Sequence, residues 1–175
     1  PGGALDAADS SPEMHALCTG LEDEAASLAL GVERGGLAYW VAAIREAFEE
    51  AGILLAYDTS GSMVSLNGEA AERYLAHRNS LDERRGNFGA IVRDEGLRLA
   101  VDRLTYFGHW ITPIRAPRRY DTRFFLAVAP ERQEARHDNY ETIAHVWVRP
   151  QDALDLRASE ALNMRFPTVR TLERL

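Results

Sequence analysis

The sequence contains a single cysteine, Cys18, among its 175 residues. One cysteine excludes an intrachain disulfide and a cage of several cysteines around a metal ion. The lack of disulfides favours a reducing compartment, so we predict a cytoplasmic location. Cys18 falls in a helical-looking segment without a matching histidine constellation, and we expect it to pack against its neighbours rather than to act as a nucleophile.

Long apolar runs and an excess of positive charge are also lacking. No stretch approaches the roughly 20 apolar residues that span a bilayer. With 20 basic and 27 acidic side chains, the formal net charge is −7, which argues against nonspecific binding to nucleic acids or acidic membranes. Length and a hydrophobic content of 46% predict one globular domain, residues 1–175, and are compatible with an oligomer.

The stretch REAFEEAGI, residues 45–53, ends a predicted helix. Alanines favour the helix, and Phe48 makes an apolar contact four residues after Ile44. Gly52 stands where a left-handed C-terminal cap belongs, so the helix should end at about Ala51.

Three glutamates, Glu46, Glu49 and Glu50, therefore fall near the C-terminus of this helix, where the backbone carbonyls already concentrate negative charge. Their spacing places them on one helix face, so their mutual repulsion calls for a cation. Clustered carboxylate oxygens suit Mg²⁺ or Mn²⁺. Arg45 precedes Glu49 by four residues and is expected to hold its carboxylate by an ion pair. A solvated acidic face is the alternative interpretation of the same pattern.

REAFEEAGI also matches the core of the Nudix box, which reads Arg-Glu, an apolar residue, any residue, Glu-Glu, any residue, Gly and an apolar residue. The chain therefore resembles a Nudix hydrolase. The resemblance implies an α/β fold, a Nudix α/β/α sandwich around a mixed sheet, which agrees with the alternation of helical and strand-like segments.

The glycine-led front half of the box fits two registers. Gly31 has the standard spacing to Arg45, but Leu37 then occupies the position of the box glutamate. In the preferred register PGGALDAAD opens the box, with Gly3 as the box glycine and acids at Asp6 and Asp9. That register requires a helical insertion, residues 10–37, between turn and helix, in which Ser11 is expected to cap the first helix. The strand that normally leads into the box is expected to precede this sequence.

Further elements are expected after the box. The apolar run ILLAY is predicted to form a buried strand. Two extra helices should follow, with a break near Asn79 and Ser80. YETIAHVWVRP, residues 140–150, is predicted to form a later strand.

Three softer phrases, HWITP, RRYDTRFFLA and HVWVRPQDAL, are similar to the Nudix branch that contains peroxisomal coenzyme A diphosphatases. This resemblance implies metal-dependent hydrolysis of a nucleoside diphosphate linked to another moiety, which yields two phosphate monoesters. Coenzyme A or acyl-coenzyme A is the leading substrate. Adenosine diphosphoribose and dinucleotide polyphosphates are alternative substrates, and an inactive Nudix binding module is the alternative class.

The resemblance also assigns roles to residues. The expected catalytic residues are Glu50, Glu49, Arg45 and Glu141, with Glu50 preferred to Glu141 as the general base. The expected metal ligands are Glu46, Glu49, Glu50 and the carbonyl of Gly3. In the sequence RAPRR, Arg118 and Arg119 are expected to bind substrate phosphate, and Trp110 to stack on an adenine.

Overall fold

The computed structural model describes residues 2–115, 117–135 and 146–175. The described residues fall into two compact units. Unit 1 comprises the described residues within 1–106 and 125–144, and unit 2 those within 107–124 and 145–175. No helix among the described residues is long and apolar enough to cross a membrane.

The elements alternate between helices and short strands. The helices are α1 (Pro12–His15), α2 (Asp23–Leu30), α3 (Leu37–Ala51), α4 (Glu69–Asp82), α5 (Phe88–Asp94), α6 (Pro150–Ala158) and α7 (Phe166–Leu172), and 3₁₀ helices span Ala7–Ser10 and Val101–Arg103. The strands are β1 (Ala56–Tyr57), β2 (Arg98–Leu99), β3 (Thr105–Ile111) and β4 (Asp121–Leu126). β1 pairs with β2 in antiparallel register, Ala56 opposite Leu99, and β3 pairs with β4.

Helix α3 is the centre of the hydrophobic core of unit 1. Its apolar face buries Val41, Ile44 and Phe48 almost completely. The Phe48 ring packs at 6.4 Å from the ring of Tyr74 in α4 and at 6.3 Å from that of Phe88 in α5. The helix ends at Ala51 with a left-handed glycine cap, as predicted. Because the opposite face of the same helix carries the glutamates, core packing fixes the backbone that holds them.

The segment before α3 carries two helices, α1 and α2, where a helical insertion was predicted. The predicted cap of α1 is present, with Met14 N–H donating to Ser11 Oγ at 3.1 Å. The Asp23 carboxylate of α2 accepts hydrogen bonds from the N–H groups of Gly35 and Leu37, both at 2.9 Å. A Cβ atom at Gly36 would overlap the backbone of α2, so only glycine allows this approach. Contacts from α2 thus stabilise the first turn of α3, whereas the assignment of residues 10–37 as an insertion stays a prediction.

The apolar run ILLAY was predicted to be a strand, but only Ala56 and Tyr57 form one. The side chain of Gln133 replaces the missing strand partner of Leu54. Its oxygen accepts from Leu54 N–H at 2.8 Å, and its nitrogen donates to the carbonyls of Leu54 and Val64, each at 2.9 Å. A buried amide therefore satisfies the backbone groups that a sheet would otherwise satisfy.

The residues after the box form the two helices predicted there, α4 and α5. The break between them lies at residues 83–87, later than the predicted break at Asn79 and Ser80. Asparagine and serine are tolerated inside α4 because tertiary packing of Tyr74 and Arg78 outweighs their weak helix propensity.

In unit 2, the ring of Trp110 in β3 packs edge-on against Phe166 of α7 with centroids 5.7 Å apart. His109 Nε2 lies 2.6 Å from Asp121 Oδ1, which also accepts from Arg123 Nη1 at 2.7 Å. A later strand was predicted over YETIAHVWVRP, residues 140–150. Residues 140–145 lie outside the described part, and residues 146–149 are not in a strand.

Cys18 is buried, with 8% of its surface exposed, and its thiol donates to the Met14 carbonyl at 3.5 Å. Burial raises the pKa of Cys18 to about 12.

We expect the Cys18 thiol of the native protein to react with a disulfide reagent near neutral pH about a thousandfold more slowly than free cysteine. Absorbance of the released thiolate measures the rate, and the protein unfolded in guanidinium is the control. Native reaction at the rate of the unfolded control would contradict this burial.

Candidate active site

Arg45 in the middle of α3 organises the acidic face of this helix. Its Nη1 atom donates to Glu46 Oε1 at 2.7 Å and to Glu49 Oε2 at 3.0 Å. The predicted contact between Arg45 and Glu49 is therefore present. Because the planar guanidinium directs its donors along fixed axes, these two carboxylates are held in defined orientations.

The other edge of the Arg45 guanidinium binds the segment that precedes α1. Nε and Nη2 donate to the two oxygens of Asp9 at 3.1 and 3.0 Å, which is a bidentate pair. Asp9 is 1% exposed, and the Arg45 side chain is 11% exposed. Nη2 also donates to the carbonyl of Ala4 at 3.0 Å. One arginine thus joins three carboxylates and the turn at the start of the chain.

That turn lies directly against two of the box glutamates. A Cβ atom on Gly3 would overlap the carboxylate of Glu46, at 2.6 Å from Oε2. The N–H of Gly2 donates to Glu50 Oε1 at 3.2 Å. By contrast, a Cβ atom on Gly31 would meet no atom within 4 Å, and Gly31 caps the C-terminus of α2. This geometry favours the register in which Gly3 is the box glycine.

The glutamates lie in a partly dehydrated environment. Burial raises the pKa of Glu46. The positive charge of Arg45 opposes this increase, and the negative charge of Glu50 adds to it. Burial also raises the pKa of Glu49, with a further increase from Glu46. A carboxylate whose ionised form is disfavoured by burial and by like charges gains more from a nearby cation than an exposed one does.

The C-terminus of α3 receives a positive charge from α4. Arg78, only 4% exposed, donates through Nε to the Glu49 carbonyl at 2.6 Å and through Nη2 to the Glu50 carbonyl at 2.7 Å. These carbonyls belong to the unsatisfied last turn of the helix. The positive charge of a guanidinium at this end compensates both the negative end of the helix dipole and the charges of the acidic side chains. Sequence reasoning missed Arg78, although an acidic helix end is itself a signal that a cation must come from elsewhere.

The donor set fits a hard divalent cation in its chemistry. Carboxylate oxygens share one helix face, and the Gly3 turn lies so close to Glu46 that a side chain there would displace its carboxylate. Within the residues described, however, no three Asp, Glu, His or Cys side chains converge as a metal site. Glu46 and Glu49 are directed to Arg45 instead. Arg45 bonds only one oxygen of each, so a metal held by both would use the other oxygens, Glu46 Oε2 and Glu49 Oε1.

The remaining predicted residues belong to other parts of the chain. Arg118, Arg119 and Trp110 belong to unit 2, whereas the box residues belong to unit 1. The Arg118 guanidinium lies 5.9 Å from the Tyr120 ring centroid, and Arg119 Nε donates to the Thr112 carbonyl at 3.2 Å. Glu141 lies outside the described residues. The substrate-binding and general-base roles given to these four residues stay predictions.

Comparisons with known proteins identify the family of the chain. Residues 23–175 match the family model described as the NUDT19 Nudix domain. The chain is 32% identical over 155 residues to a chicken (Gallus gallus) protein named acyl-coenzyme A diphosphatase NUDT19, a match that covers 81% of this chain and 41% of the relative. The Xenopus laevis protein of the same name is 26% identical over 151 residues, covering 81% of this chain and 40% of the relative.

A solved structure, that of a Nudix hydrolase from Alicyclobacillus acidocaldarius, is similar along nearly the whole fold. Its TM-score is 0.72 at 27% sequence identity, and the match covers 98% of this chain and 72% of that one. The predicted Nudix fold is thereby confirmed. The chain spans about two fifths of the length of the two curated relatives.

Proposed function

Because the chain belongs to the Nudix hydrolases, we propose that it hydrolyses the diphosphate of a nucleoside diphosphate derivative, with coenzyme A or acyl-coenzyme A as substrate. Both curated relatives are named acyl-coenzyme A diphosphatases, which supports this choice. The products would be two phosphate monoesters, adenosine 3′,5′-bisphosphate and a phosphopantetheine or its acyl form. A cytoplasmic location stays a prediction from composition.

The observation that supports this proposal most directly is the arrangement around Arg45. One guanidinium orients Glu46 and Glu49, binds the buried Asp9, and connects the box helix to the Gly3 turn. This network builds a rigid acidic surface. An acidic helix face that is merely solvated needs neither a buried bidentate ion pair nor a glycine turn packed on it.

Nudix hydrolases generally use divalent metal ions, and we propose Mg²⁺ or Mn²⁺, held by Glu46, Glu49, Glu50 and the Gly3 carbonyl. When bound, the ion supplies charge neutralisation for the diphosphate and acidifies water. Arg45 keeps Glu49 oriented, and Glu50 accepts the proton of the attacking water. Burial of these carboxylates excludes bulk water and strengthens their electrostatic effect on the phosphates.

A chromatographic product screen tests the proposal. Purified protein is incubated with coenzyme A, acetyl-coenzyme A, adenosine diphosphoribose, NADH and diadenosine polyphosphates, each with Mg²⁺, Mn²⁺ or a chelator. We expect metal-dependent formation of adenosine 3′,5′-bisphosphate and 4′-phosphopantetheine from coenzyme A. Hydrolysis in ¹⁸O-labelled water then identifies the attacked phosphorus from the labelled product.

The screen separates the alternatives. If only adenosine diphosphoribose or a dinucleotide polyphosphate is cleaved, coenzyme A is not the substrate, but the proposed diphosphate hydrolysis stands. If no diphosphate is cleaved with either metal, the hydrolase proposal fails. The binding module that retains the fold without turnover would then replace it.

A further inference from the structure

A cavity of about 340 Å³ lies beside the box helix in unit 1. Arg45 and Glu49 of the box line one side. Arg84 and residues 86–89, in and after the turn between α4 and α5, line another, and Met14 and Phe88 contribute apolar surface. The lining thus combines apolar surface with several charged and polar side chains. Small-molecule sites also combine apolar surface with convergent polar groups, and this volume is within their range.

The turn at residues 83–86 is tightly fixed. The N–H groups of Arg85 and Gly86 both donate to the Ser80 carbonyl, at 2.9 and 2.8 Å. A Cβ atom on Gly86 would come within 2.5 Å of Ser80 Oγ, so a side chain there would require Ser80 to move. The position of the turn relative to the cavity is therefore set by α4.

Arg84 occupies a backbone conformation that arginine rarely adopts. Its φ angle is 55°, in the left-handed region where the residue after a helix is most often glycine. Arg84 and Glu160 are the two non-glycine residues with positive φ in the described ranges. Glycine would relieve the backbone strain at position 84, so folding alone does not account for an arginine there.

The two neighbouring arginines of the turn differ in their partners. Arg85 forms an ion pair with Glu83 and does not line the cavity. Arg84 lines the cavity, and no carboxylate in the described part of the chain pairs with its guanidinium. Of the three acids in the cavity wall, Asp9 and Glu49 are bound to Arg45, and Asp6 accepts from the N–H of Ala8 at 3.2 Å. The Arg84 guanidinium is thus available to an anion that enters the cavity.

We propose that this cavity binds the phosphorylated substrate and that Arg84 contacts a phosphate of it. The inference rests on the proposed hydrolysis and specifies where the substrate lies. A guanidinium is suited to bidentate binding of phosphate oxygens. The cavity also places that phosphate beside Glu49, while Met14 and Phe88 contact the apolar part of the ligand. Arg84 is a binding residue, and we assign it no role in proton transfer.

The decisive variant is Arg84→Gly, because it removes the guanidinium and relieves the backbone strain together. We expect its melting temperature to equal or exceed that of wild type. We expect KM for the cleaved diphosphate to rise about 10- to 100-fold, which is the effect of losing a hydrogen bond to a charged group. The kcat value should change less than about twofold, since the lost contact stabilises ground and transition states alike.

Arg85→Ala is the matched control, because it removes the same charge one residue away. We expect its KM to equal that of wild type, and Arg84→Lys to recover part of the affinity. Equal increases in KM for the Arg84 and Arg85 variants would show a general charge effect and overturn the inference. A KM for Arg84→Gly equal to that of wild type, or an increase explained by a lower melting temperature, would overturn it too.

Calorimetric titration with adenosine 5′-(α,β-methylene)diphosphate, which is not hydrolysed, tests binding independently of turnover. We expect affinity to fall in Arg84→Gly and to be kept in Arg85→Ala. If wild type binds this probe through Arg84 but cleaves no diphosphate, the proposed hydrolysis fails and the binding site stands. If wild type cleaves diphosphates and the variants bind equally, the binding site fails and the hydrolysis stands.

Discussion

Glu50→Gln is expected to lower kcat about 10²- to 10⁴-fold, the usual effect of removing a general base. The substitution keeps an oxygen that can accept the Gly2 N–H, the contact that Glu50 Oε1 makes at 3.2 Å. It also removes a negative charge near the C-terminus of α3, so the melting temperature should stay close to that of wild type. Initial rates with the substrate identified by the product screen measure the effect.

Glu72→Gln on the exposed surface of α4 is the control for this substitution. It makes the same chemical change on a helix outside the box, and its kcat should match that of wild type. If Glu50→Gln keeps full activity, Glu50 is neither the base nor an essential metal ligand. The same substitution at Glu141 would then be the next test of the general base.

Arg45→Met is expected to reduce the free energy of unfolding by about 3–5 kcal/mol, the typical cost of removing one partner of a buried ion pair. Methionine retains much of the apolar volume but leaves the carboxylate of Asp9, 1% exposed, without its guanidinium. The repulsion between Glu46 and Glu49 also loses its compensating charge. Urea unfolding followed by circular dichroism measures the change.

Arg73→Met provides the comparison for a solvent-exposed pair. Arg73 contacts Glu95 at 2.9 Å through Nε, a distance similar to those around Arg45, but its side chain is 53% exposed. Solvent screens an exposed pair, so the unfolding midpoint should move much less than in Arg45→Met. Equal shifts in the two variants would contradict the central structural role given to Arg45.

Local sequence patterns predicted the parts of the fold that local contacts determine. The glycine cap after Ala51 and the Ser11 cap of α1 both depend on residues within one helical turn, and both are present. The contact between Arg45 and Glu49 follows in the same way from helix geometry. The Nudix fold itself was predicted from one nine-residue motif in which every charged position is filled.

Contacts between distant segments account for what sequence patterns did not predict. Arg45 meets Asp9 across 36 residues, and Gln133 meets Leu54 across 79 residues. Hydrophobic periodicity does not encode such pairs. Asp9, Arg45 and Gln133 are polar residues that the sequence alone would place at the surface, and only the folded core brings them to their partners. The prediction of a strand over the whole of ILLAY was wrong for this reason, because the side-chain amide of Gln133 satisfies the backbone groups of Leu54. Arg84 was missed because an exposed arginine in a turn has no distinguishing local pattern.

The hydrogen bonds from Arg78 to the last turn of α3 link the local unfolding of α3 to that of α4. Its guanidinium reaches carbonyls 28 and 29 residues earlier in the chain, so it can hold them only while α4 is folded. When α4 opens, the end of α3 loses two charged donors at once, and its backbone amides become open to hydrogen exchange together with those of α4. Thermal fluctuation in a helix that supplies no carboxylate to the site is thereby transmitted to the backbone that carries Glu49 and Glu50.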